Sequence, residues 1–236
     1  MCGASIYAMD GAYAAALQLL AGFHPFFSRR ATAGMDALSQ DWKISPEPQR
    51  LRAEGCGTVE REIWPLPVAE SFLKDFLTDI FENHWQDIRF GPLIEGAAYE
   101  WRCPSAPVKI GLFDGYLTIV FGNGGHFHLC IGENNGPPAR PTPAELRERR
   151  KPSKAQLFRA FGRDGKPLSW GFEMWNGTGE PMISIFFPNP FIEADDRLSE
   201  TPDFSRLAAW RHVARKWLGR EPEALDEEGG GFRART

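Results

Sequence analysis

The run Gly125-His126-Phe127-His128-Leu129-Cys130-Ile131-Gly132-Glu133 gathers side chains that can offer lone pairs to a metal or move a proton. Side chains alternate along a strand, so His126, His128 and Cys130 share one face and Phe127, Leu129 and Ile131 the other. Histidines at i and i+2 have Cβ atoms roughly 6–7 Å apart, a span over which two imidazoles can meet one ion at about 2 Å from each nitrogen. Cys130 lies about 13 Å along an extended strand from His126, so it joins such a site only through a bend. It reads more simply as a small buried hydrophobe. Glu133 has the wrong parity, but Gly132 before it can bulge the strand and swing the carboxylate round. His126, His128 and Glu133 would then form a two-histidine, one-carboxylate set suited to non-haem iron or, with an open position, to zinc. In the competing reading both histidines line a pocket and are satisfied by backbone groups or water.

Other segments offer walls for the same pocket. Tyr99 and Arg102 lie near an expected strand end, where the guanidinium could fork onto a ligand carboxylate such as a haem propionate or simply close an ion pair. Trp170 belongs to an aromatic-dense run and stands as a ligand wall or as core. Asn189, held between Pro188 and Pro190, caps a pocket or closes a turn. His84 continues the apolar stripe of a helix, whereas His24 and His212 read as structural or exposed.

The elements that must position these groups are read from periodicity. Phe72, Leu73, Phe76, Leu77, Ile80 and Phe81 repeat at helical spacing and predict a helix over about 68–86. Stretches 96–103, 108–113, 116–121 and 126–131 read as four consecutive strands, with Asp114-Gly115 as the clearest hairpin turn. Thr142, Pro143 and Glu145 have the spacing of a capping box, which predicts a helix from 143, broken near Pro152 and resumed to Phe161. Strands over 168–175 and 182–187 and a helix over about 202–218 complete an α+β domain. It has an antiparallel sheet of about six strands with helices packed on one face.

Three segments are expected: an appended, loosely ordered extension (1–56), one α+β domain (57–220) and a disordered acidic, glycine-rich tail (221–236). A formal charge of −4 and a pI near 5.8 supply no concentrated positive field for nucleic acid or an anionic membrane, so a small-molecule ligand is the expected partner. The apolar stretch 14–23 is too short to span a bilayer and no basic segment precedes it, so neither export nor anchoring is expected. Cys2, Cys56, Cys103 and Cys130 form no close pair and read as cytoplasmic thiols.

The spacing HxHxxxxE over His126, His128 and Glu133 resembles the first metal motif of cupins. Val120 replaces the glycine of that motif, and no second histidine motif comes after it. The strings HFHLCIGE, SWG with a following NG, and FPNPF resemble a bacterial family of unknown function with a loose connection to haem binding, over about 64–192. That resemblance implies a tetrapyrrole or metal ligand, with His126 or His128 as an axial nitrogen. Two further expectations stand beside it: an iron or zinc enzyme using His126, His128 and Glu133, and an interaction module presenting the aromatics near Phe187.

Overall fold

A computed structural model of the chain describes residues 42–53, 59–94, 97–122 and 124–232. Contacts divide the chain into residues 1–41 and 42–236, and every described element belongs to the second unit. His24 and most of the expected extension therefore lie outside the described residues. From residue 42 onward that extension is not loose throughout: β1 (Gln49–Ala53) pairs antiparallel with β2 (Val59–Leu66), and Trp64 donates its indole N–H to the Pro46 carbonyl at 3.0 Å.

The fold is α+β, with more strands than the roughly six expected. After β3 (Arg89–Gly91), a two-stranded ribbon of β4 (Leu93–Ile94) and β5 (Ala97–Ala98) leads to β6 (Trp101–Arg102). The meander β7 (Pro107–Phe113), β8 (Tyr116–Phe121) and β9 (His126–Cys130) stands as its own three-stranded sheet. Strands β10 (Pro152–Phe161), β11 (Pro167–Asn176) and β12 (Pro181–Phe186) then form the middle of a seven-stranded antiparallel sheet, in the order β1-β2-β10-β11-β12-β3-β6. The four strands expected to be consecutive neighbours are thus split, because Trp101 at the end of the first pairs with Phe90 of β3 instead.

Helix α1 (Glu70–Asn83) buries Phe72, Leu73, Phe76, Leu77, Ile80 and Phe81 completely. Each such side chain contributes about 1.5–3 kcal/mol of apolar burial. Its Phe76 meets Phe172 of β11 at 5.0 Å between ring centroids. A short helix, α2 (Ala144–Arg150), precedes β10. Helix α3 (Ala208–Leu218) sets Trp210 against Trp64 at 5.5 Å, so α1 and α3 cover the same face of the large sheet. An aromatic joint then ties the small sheet on, with Phe90 touching Phe81 at 4.9 Å and Phe127 of β9 at 5.2 Å.

Three expectations fail here. Helix α2 stops at Lys151, whose φ −68° and ψ 152° are extended, and the chain passes directly into strand β10. Pro152 lacks an N–H and disfavours helical backbone before it. Because β10 is buried on both sides, with Leu157 fully buried and Phe158 2 % exposed, it shows no alternation to read. The capping box does not form either: Thr142 donates its hydroxyl to Asn134 Oδ1. The tail expected to lack structure forms a 3-10 turn, Ala224–Glu227. Its buried Asp226 accepts hydrogen bonds from Arg159 at 2.9 Å, Trp170 at 2.9 Å and Trp210 at 3.2 Å. A carboxylate with three buried donors anchors a segment whose composition alone reads as solvated.

Candidate functional site

Asp114 and Gly115 turn β7 into β8 with φ of 46° and 77°, the left-handed pair that a tight hairpin requires. A side chain at Gly115 would in addition press on the Glu133 carbonyl, 2.6 Å from its Cβ. The resulting register sets Thr118 opposite His128 and Val120 opposite His126, and Gly111 and Lys109 opposite those two on β7. Leu117, Ile119, Phe121 and Leu129 point into the core. His126, His128 and their cross-strand partners therefore occupy the outer face of the three-stranded sheet.

On that face the two imidazoles differ. His126 is exposed, whereas His128 is half-buried and its Nδ1 lies 2.7 Å from Thr118 Oγ1. The Nε2 of His128 is out of solvent contact. Burial, reinforced by His126 at 4.9 Å between centroids, holds the His128 imidazole below the ordinary histidine range. Its neutral form is favoured. Beside Thr118, Gly111 leaves a gap: a Cβ there would meet only Lys109, at 3.9 Å. The row Gly111, Thr118, His128 lies between the Lys109, Val120, His126 row and the Phe113, Tyr116, Cys130 row.

Cys130 is buried and bonds the Gly132 carbonyl at 3.4 Å. Burial pushes its thiol up to about 11, so it is held as the neutral thiol at neutral pH. The bulge expected at Gly132 is present, since the N–H groups of Ile131 and Gly132 both reach the Gly115 carbonyl. It does not bring Glu133 to the histidines. The Glu133 carboxylate, 59 % exposed, faces Arg147 at 4.0 Å, and among the described residues no three His, Cys, Asp or Glu side chains are grouped to hold a metal.

The other expected residues have separate duties. Trp170 is buried and spends its N–H on Asp226. Asn189 donates to the Leu168 carbonyl at 2.8 Å and accepts from the Phe191 amide at 2.9 Å, closing a turn. Arg102 shares the Asp196 carboxylate with Arg89. Tyr99 is exposed, its amide donated to the Pro92 carbonyl. Phe187 and Phe191 are core residues and offer no aromatic surface.

A second polar cluster escaped the sequence reading. Asp79 of α1, 5 % exposed, accepts from Lys216 Nζ at 2.6 Å, Trp217 Nε1 at 2.8 Å, Asn83 Nδ2 at 2.8 Å and His212 Nε2 at 3.2 Å. Burial alone would raise its pKa, but the Lys216 and Trp217 hydrogen bonds hold it below the usual carboxylate value. His84 packs edge-on against His212 at 4.8 Å, and burial, with His212 beside it, lowers its pKa. The signal was the position of Asp79 at i+3 from Phe76 and i+7 from Phe72, inside the apolar stripe.

No described helix is long and apolar enough to cross a membrane. The solved structure of ChuX is similar over 65% of this chain and 74% of its own, at 13% sequence identity and a TM-score of 0.38. No curated protein matches. A family model described as "Family of unknown function (DUF7676)" matches residues 49–219, and the chain belongs to that family.

Proposed function

We propose that the outer face of the three-stranded sheet binds a small, flat ligand over the cross-strand row of Gly111, Thr118 and His128, with His126 as the group that engages it. One observation carries this reading: Thr118 holds His128 by its Nδ1 while the neighbouring His126 stays exposed. A fixed, neutral imidazole beside an accessible one makes a preorganised wall and a free donor nitrogen. Lys109 is exposed in the same row as His126, about 10 Å away across two strand spacings, and suits an acidic substituent on the ligand.

A tetrapyrrole with carboxylate arms has this chemistry. His126 is the residue that would hold its iron, which would supply redox and gas-binding chemistry there. Chelation of one bare ion by both histidines does not fit, because the Nδ1 of His128 is engaged and its Nε2 is enclosed. Nor is an iron or zinc centre with Glu133 assembled among the described residues.

Absorption titration with haemin, using wild-type protein, His126→Ala and His128→Ala, tests the reading. Saturable binding with a shifted Soret band, lost in His126→Ala and retained in weakened form in His128→Ala, is expected. No Soret shift in wild type, or an unchanged titration in His126→Ala, would overturn it.

A further inference from the structure

Helix α3 carries Ala208, Arg211, His212, Arg215 and Lys216 at i, i+3, i+4, i+7 and i+8, and these five line a depression on the surface. The stripe lies apart from the apolar one, where Ala209, Trp210, Val213, Ala214 and Leu218 are buried. Ala208 leaves the space, and four basic side chains surround it.

Their present counter-charges leave donors to spare. Arg215 reaches Glu221 through Nε at 3.0 Å, and that pair is loosely held, with the carboxylate side chain 83 % exposed. Arg211 gives Nη2 to Glu227, while its Nε is enclosed with no hydrogen-bond partner. Lys216 and His212 are oriented from beneath by the buried Asp79. Glu221 and Glu227 both come from the segment after the helix, so surface acids of the chain's own tail stand where an external anion would pair.

We propose that this depression is a binding site for a small oxyanion of the phosphate or carboxylate class. Arg215 forks onto its oxygens through its two Nη groups, Arg211 adds an Nη donor, and Lys216 supplies a point charge. Asp79 is a positioning residue that fixes Lys216. Glu221 and Glu227 compete intramolecularly for the same cations.

Isothermal titration of the full chain at low ionic strength, with inorganic phosphate in one arm and acetate in the other, tests the site. Saturable binding in either arm is expected, and the arm that responds names the class. Arg215→Gln, a change at a half-exposed side chain, should weaken binding by about tenfold, and Glu221→Gln with Glu227→Gln should strengthen it several-fold. His126→Ala should leave it unchanged, which separates this site from the ligand face of the small sheet. Absence of saturation in both arms, or an isotherm that Arg215→Gln does not alter, would overturn the proposal.

Discussion

The protein holds two pairs of histidines of nearly the same geometry in unlike settings. His126 and His128 lie 4.9 Å apart with ring planes at 68°, and His84 and His212 lie 4.8 Å apart at 64°. The first pair comes from one strand, and a neutral hydroxyl, Thr118, holds one of its members. The second joins the end of α1 to α3, and a buried carboxylate, Asp79, organises it together with a lysine and a tryptophan. A hydroxyl orients a ring and leaves its neighbour open to solvent. A carboxylate with four donors commits its surroundings to the fold and turns the remaining charge outward.

The largest consequence falls on Asp79. Asp79→Ala leaves Lys216, Trp217, Asn83 and His212 without their shared acceptor, and chemical denaturation should show a loss of about 2–3 kcal/mol. That lies below the ~3–5 kcal/mol typical of breaking fully buried pairs, because the Lys216 side chain is half-exposed. No loss would mean that the cluster is decorative and that the two pairs do not differ in kind. Gly115→Ala is the matching disruption on the other side. A side chain at φ 77°, pressed on the Glu133 carbonyl, should cost about 1–2 kcal/mol and disturb the register that sets Thr118 opposite His128. Amide exchange along β8 and β9 would report it.

The contrast between the pairs also marks what the sequence makes legible. Period-two alternation within nine residues is enough to place His126 and His128 on one face and Phe127 and Leu129 on the other, and the apolar stripe of α1 and the Asp114-Gly115 turn are equally local. Strand β10 is not legible, because burial on both faces erases the alternation that would distinguish it from a helix. The tail is misjudged for a different reason. Asp226 is acidic in a composition that reads as solvated, and only Arg159, Trp170 and Trp210, distant in the chain, make it a buried acceptor. His84 and His212 are brought together by packing between helices, and no spacing encodes that. The bulge at Gly132 was foreseeable from the glycine, whereas the direction it gives Glu133, toward Arg147 of a later helix, was not.

Removing the hydroxyl that distinguishes the first pair should have a smaller effect. Thr118→Val keeps the shape of the β8 side chain and deletes the partner of His128 Nδ1, at a cost of about 1 kcal/mol. Nitrogen chemical shifts of the His128 ring should then lose the signature of a single favoured tautomer, while those of His84 stay as they are. A coincident change at His84 would show that the two regions are coupled.

The smallest effect is the pH dependence that both pairs share. His84 and His128 each have a folded pKa below the ordinary 6.5, in both cases through burial first and a neighbouring histidine second. The unfolded chain therefore binds protons near pH 6.5 that the folded chain refuses, and stability is complete above that value and declines as pH falls below it. Each histidine can contribute a slope of no more than about 1.4 kcal/mol per pH unit, and only a fraction of that where the folded and unfolded pKa values lie close. Asp79 is also depressed, but its loss begins only near pH 3.8 and leaves this window untouched. Denaturation midpoints between pH 7.5 and 5 should therefore fall less steeply in His84→Gln and in His128→Gln than in wild type. If one substitution flattens the profile and the other does not, only one of the two pairs is enclosed enough to resist protonation. A smaller share for His84 would reflect the carboxylates of Asp79 and Asp87, which favour protonation there ahead of the opposing Lys216 and have no counterpart at His128.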